Sequence, residues 1–178
     1  MLVNEREKLA LHLEPSGYWD EEDIVALESI AAARAARADL RGEQEALAML
    51  VDAYTDERDL ERAMRSASRR EQICRELDDP DLLLDALLTH AIACPLDLNR
   101  SMELQREHER RASELGRDAD VARSMALRGM HLRAAGVYGE ARALFERARV
   151  IAASAGGGEI TEDVERFEAA ATRPPYDD

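Results

Sequence analysis

Residues 122–152 read ARSMALRGMHLRAAGVYGEARALFERARVIA, and this stretch decides the fold. Gly136 and Gly139 bracket a tight turn, because a residue without a Cβ enters left-handed backbone angles with little strain. Gly129 and Leu132 stand before that turn; Tyr138, Ala141, Phe145 and Ala148 stand after it. Small and large side chains therefore line two helical faces that cross closely. Such a helix pair cannot bury its apolar face alone, so one copy predicts others stacked beside it.

Three weaker copies precede it. With the small residue that opens the second helix as anchor, Ala141 is preceded by Ser101, Ala63 and Leu27, at spacings of 40, 38 and 36 residues. A breaker follows each second helix at a similar distance: Gly42, Asp78, Gly116 and Gly156. The set Gly129, Leu132, Gly136, Tyr138, Ala141, Phe145 and Ala148 resembles one tetratricopeptide (TPR) repeat, whose period is about 34 residues. The longer spacings here are similar to the lengthened TPR-like repeats of bacterial regulators. The resemblance implies an all-α fold, an α-solenoid of about four helix-turn-helix pairs with a C-terminal capping helix. The pairs fall at about 1–41, 43–77, 80–115 and 118–155 and the cap at 160–171, in a single domain over 1–172, with 173–178 expected as a disordered tail.

The segments support this reading on physical grounds. Residues 81–93, DLLLDALLTHAIA, carry Leu83, Leu87 and His90 on one stripe and Leu84, Leu88 and Ala91 on another, as a largely buried helix does. Asp79 is a good N-cap with Pro80 behind it at the first helical position, while Pro95 ends the helix near Cys94. Residues 97–115 are mostly charged except for Met102, Leu104, Ala112 and Leu115, which predicts an outer layer. Residues 43–56 and 59–77 still pair through Val51, Tyr54, Leu60, Ala63 and Ala67, but Arg70 replaces the final small residue. At the N-terminal end Pro15 makes helix 2–13 dock after an irregular Glu14–Trp19 turn. At the other end Gly156-Gly157-Gly158 precedes an amphipathic helix whose Ile160, Val164 and Phe167 cover the open face of the fourth pair.

Hydrophobic content of 46% with only 4% aromatic residues means a core of Ala and Leu. No run of about 18 apolar residues occurs, and charges interrupt the N-terminal MLVNEREKLALHLE where a signal peptide needs an apolar stretch. The expected location is cytoplasmic, with Cys74 and Cys94 as reduced thiols. The net charge of −14 is uneven: residues 1–60 hold 15 acidic and 6 basic side chains, 61–155 hold 16 of each, and 156–178 hold 7 and 2. That surface repels phosphate over most of its area, so nucleic acid is a poor partner.

What the TPR resemblance implies for a site follows from the family's concave groove, lined by the first helix of each pair. Carried over, the groove positions are Glu45, Met49 and Asp52 in the second pair, Leu83, Leu87 and His90 in the third, and Arg123, Leu127, Met130 and Arg133 in the fourth. This grades from acidic through apolar to basic, which suits a peptide or helix with apolar anchors. The carboxylate clamp of TPR cochaperones is not implied, because Ala48, Asp52, Leu87, Arg123 and Leu127 occupy its positions and only Arg123 has the required character.

An enzyme is not expected. His90 and Cys94 stand four residues apart, but His108 and His131 complete no metal-ligand spacing, and Asp78-Asp79-Pro80-Asp81 reads as a helix boundary. No cofactor or metal is implied. The expected function is a protein–protein interaction module, an adaptor or regulatory TPR protein binding a partner peptide or helix. The alternatives are a small acidic secretion-type chaperone, or a structural protein that self-associates, for instance as a homodimer through helix 2–13 with Leu2, Leu9 and Leu13 on one stripe. Pro-Pro-Tyr in the tail is a weak interaction signal.

Overall fold

A computed structural model describes residues 19–170 apart from 96 and 157. The helix expected over 2–13 with its dimer contact, most of the Glu14–Trp19 turn and the tail 173–178 lie outside the described residues. Within them the chain is all-helical, with eight helices and no strand. They are α1 (Glu21–Ala36), α2 (Leu40–Asp56), α3 (Leu60–Leu77), α4 (Pro80–Ala93), α5 (Leu98–Glu114), α6 (Asp118–Ala134), α7 (Tyr138–Ser154) and α8 (Gly158–Ala170).

Aspartates start five of these helices. Asp20, Asp39, Asp59, Asp79 and Asp97 each accept a backbone N–H of the first turn, at 2.9 Å from Asp23, 3.0 Å from Gly42, 3.0 Å from Arg62, 3.2 Å from Asp81 and 3.0 Å from Arg100. Each satisfies a donor that the helix leaves unpaired and places negative charge at the positive end of the dipole. Just before the cap stands one residue in the left-handed region: Ala38 at φ 54°, Arg58 at 60° and Asp78 at 51°, with Gly116 at 68° and Gly136 at 81° in the corresponding places. This left-handed residue closes the preceding helix and lets the next one reverse within about two residues. Gly42 is therefore not the breaker expected from its spacing. It lies inside α2, where an added Cβ would stand 2.5 Å from the capping Asp39 Oδ2 and 2.7 Å from Arg34 Cδ.

Each helix packs on its neighbours in sequence, and α2 also meets α4 as α6 meets α8. The apolar interior forms three groups: one on α1–α3 around Leu27, Val51 and Ile73, one around Leu87, Leu104 and Leu127, and one around Val121, Phe145 and Val164. Alanine fills the crossings, with Ala63, Ala91, Ala112, Ala122, Ala126 and Ala148 all fully buried. At the crossing of α6 on α7 a Cβ on Gly129 would stand 3.2 Å from the Phe145 ring and from the Ala141 carbonyl.

The expectation for α5 needs amendment. Its outer face is charged, but Ser101, Gln105 and His108 are buried on the inner face together with Leu104 and Ala112. Arg70 is buried as well, and its guanidinium reaches Asp85, Thr89 at 3.3 Å and Gln44 at 3.4 Å. A cation occupies the template's small position because α4 and α2 supply acceptors there.

Candidate functional site

Among the apolar residues of α4, Asp81, Asp85, Leu88 and Ile92 recur at steps of four, three and four, which sets them on one face. That face opens to solvent, with Asp81, Asp85 and Ile92 exposed and Leu88 half-buried. Opposite it stand Arg117, Asp120 and Arg123 at the start of α6 and Asp163, Arg166 and Phe167 on α8. Together they enclose a cleft of about 430 Å³, within the usual range for ligand sites.

The rim is a chain of alternating charges. Arg117 pairs with Asp81 and reaches Asp120 Oδ2 at 3.9 Å; Arg123 Nη1 lies 3.3 Å from Asp120 Oδ1 and its Nε donates to Asp163 Oδ2 at 2.7 Å. Arg166 Nη2 closes the series on Asp163 Oδ1 at 2.6 Å. These links tie α4 to α6 and α6 to α8 at partly solvated positions. Each pair is of modest energetic value, and the series fixes geometry more than stability. Near Asp85, the exposed Asp52 of α2 has its carboxyl raised by the surrounding protein; Arg70 opposes that rise, while Asp85 and Asp56 add to it.

At the floor, beside Leu84, lies His108 of α5, only 1% exposed. Its Nδ1 is buried without a hydrogen-bond partner. Burial lowers the proton affinity of this ring, with Asp120 and Asp85 acting against that and Arg123 with it. A neutral imidazole thus lines the cleft, with its Nδ1 buried and unpaired. The second buried histidine nearby is engaged: His131 Nδ1 lies 2.9 Å from Gln105 Nε2 and 3.0 Å from Ser101 Oγ, which itself donates to the Ala91 carbonyl at 2.8 Å.

The sequence-derived groove is brought together only in part. Leu83, Leu87, His90 and Leu127 are buried in the interior and present no surface to a ligand, which corrects their assignment as groove-lining. On α4 the chosen stripe, Leu83, Leu87 and His90, faces inward and the open stripe is Asp81, Asp85, Leu88 and Ile92, because the helix is apolar around most of its girth and periodicity does not distinguish its faces. Arg123 lies on the rim and Asp52 is exposed on α2 without lining the cleft, while Met130 packs against two of the core groups and Met49 against the first. Glu45 and Arg133 are half-buried and do not line the cleft. His108, Asp85, Asp120, Asp163 and Phe167 were missed as site residues. The signal in the sequence was the polar stripe Asp81/Asp85 in an otherwise apolar helix.

His90 belongs instead to a buried ionic group. Its Nδ1 is 2.6 Å from Glu71 Oε2, and Glu71 also accepts from Arg75 at 2.8 Å and Arg100 at 3.2 Å, while Arg75 continues to Glu107 at 2.8 Å. Burial works to raise the Glu71 carboxyl, but the hydrogen bonds from His90 and Arg75 and the charges of His90 and Arg100 outweigh it and hold it at about 2. Cys74 and Cys94 are buried and unpaired, and burial pushes the Cys94 thiol up to about 11. Among the described residues no group of histidine, cysteine and carboxylate side chains is arranged to hold a metal, and no helix is long and apolar enough to cross a membrane. No protein-family model matches the chain, and neither a curated protein nor a solved structure matches it.

Proposed function

We propose that this chain is a TPR-type α-solenoid that serves as a protein-interaction module, taking a segment of a partner protein in the cleft between α4, α6 and α8. The observation that carries this is the cleft itself: an apolar wall of Leu88, Ile92 and Phe167 under a fixed rim of alternating charge. The left-handed residue repeated at five inter-helix turns, and the side-by-side contacts of α2 with α4 and of α6 with α8, support the solenoid part of the reading. Binding is favoured over catalysis because each cleft carboxylate is already engaged by a guanidinium: Asp81 by Arg117, Asp85 by Arg70, Asp120 by Arg123 and Asp163 by Arg166. The buried, unpaired thiols Cys74 and Cys94 fit a reducing compartment, and the proposal extends to a cytoplasmic location.

The test is a random-peptide display library panned on the protein and on its Ile92→Glu variant. Ile92 is 38% exposed, so the substitution leaves the interior intact, as circular dichroism checks. Enriched peptides should bind the parent protein and lose at least tenfold on the variant. Enrichment of peptides indifferent to Ile92→Glu, or no enrichment, rejects the cleft as the interaction surface.

A further inference from the structure

Within that reading, the cleft also indicates what kind of segment it accepts. We propose that it takes a tyrosine side chain from a partner segment with a basic flank, the phenol hydroxyl meeting the imidazole of His108.

Three observations converge on this. First, His108 is buried, lines the floor, and leaves Nδ1 without a partner. An unpaired buried nitrogen costs about 1–3 kcal/mol, and a core position facing Leu84 would be more stable with an apolar side chain. A hydroxyl suits this ring better than a charged or purely donating group, because a phenol donates to a bare ring nitrogen or accepts from a ring N–H and so serves either tautomer. Second, the walls above it are Leu88, Ile92 and Phe167, which match the apolar body of an aromatic ring whose polar tip lies deepest. The volume of about 430 Å³ admits a side chain and its backbone but not a whole helix.

Third, the open α2–α4 side is acidic. Asp52 and Asp85 are both exposed on this side, and the protein around Asp52 together with Asp85 and Asp56 disfavours its carboxylate, with Arg70 the cation that opposes them. An arginine or lysine from the partner relieves that repulsion, whereas an acidic flank increases it. The remaining carboxylates and guanidiniums of the rim are already matched to each other, so they hold the cleft open and leave the uncompensated charge on this side.

The probe is a blocked heptapeptide with tyrosine at its centre and an arginine two positions to either side, titrated calorimetrically into the whole protein. Replacing the central tyrosine by phenylalanine should weaken binding threefold or more, by alanine tenfold or more, and exchanging both arginines for glutamate tenfold or more. In the His108→Leu variant the tyrosine and phenylalanine peptides should bind alike while the alanine peptide stays weaker, a pattern that general unfolding does not produce. Equal binding of the tyrosine and phenylalanine peptides to the parent protein, indifference to the flanking charge, or absence of binding overturns the proposal. N-acetyltyrosinamide binding as tightly as the heptapeptide also overturns it, in favour of a small phenolic ligand. If the display library selects peptides that depend on Ile92 but carry neither tyrosine nor a basic flank, this inference fails and the interaction module stands; without any such peptides both fail.

Discussion

At the residue scale, His108 and Glu71 are buried polar groups with opposite consequences. His108 is a cost to the fold, so His108→Leu should raise stability by about 1 kcal/mol, read as a higher urea midpoint at pH 7. The same residue gives a pH dependence. The unfolded chain takes up a proton near 6.5, whereas burial lowers the affinity of both His108 and His131. Stability is therefore full above that value and declines as pH falls below it, by up to about 1.4 kcal/mol per pH unit for each histidine. Urea midpoints between pH 7.5 and 5.5 should fall, and less steeply in His108→Leu. Glu71 is a contribution, because its folded carboxyl titrates at about 2 against an ordinary 4.5. Its stabilisation is present above about 4.5 and disappears as pH falls towards 2. Glu71→Gln should cost about 3 kcal/mol at pH 7, by stranding the buried His90, and should flatten the acid limb of the same midpoint curve.

At the element scale, five inter-helix turns share one geometry built from different residues. Ala38, Arg58 and Asp78 hold left-handed angles that carry a penalty for side chains with a Cβ, while Gly116 and Gly136 hold them freely. Arg58→Gly should stabilise the protein by about 0.5–1 kcal/mol, and Gly116→Ala should destabilise it by about 1 kcal/mol. Nothing lies within 4 Å of a Cβ added at Gly116, so the second effect is conformational rather than steric. Thermal melts of the two variants provide the check, and shifts of equal sign would refute the shared turn. The start of α4 was legible because the Asp79 cap and Pro80 are local signals. The orientation of α4 was not, because a helix apolar on most sides reveals its open stripe only once α3, α5 and α6 have taken the others.

At the scale of the whole molecule, each helix leans chiefly on its sequence neighbours, so perturbations should spread over limited distances. Trp19 packs against the first core group, while Phe145 belongs to the group around α6 and α7. Phe145→Ala, which opens a cavity beside Gly129, should cost about 3–5 kcal/mol where it acts. Far-UV circular dichroism should then show a lowered midpoint, with tryptophan fluorescence shifting less. Coincident shifts of both probes would mean that the described helices unfold as one unit.

The all-helical class, the helix boundaries near 60–77, 80–93, 98–114, 118–134 and 138–154, and the Ala-rich crossings follow from the sequence itself, because caps, breakers and 3.6-residue periodicity act over one or two turns. The tertiary structure alone decided that Ser101, Gln105 and His108 point inward from a charged helix, that Arg70 is buried, and that α4 shows Asp85 and Leu88 rather than Leu83 and Leu87. Those outcomes depend on which acceptors and which apolar faces arrive from helices 15–26 residues away, as Asp85 does for Arg70 and His131 for Gln105. No local pattern encodes that arrival, because whether a polar side chain tolerates burial depends on the partner it meets.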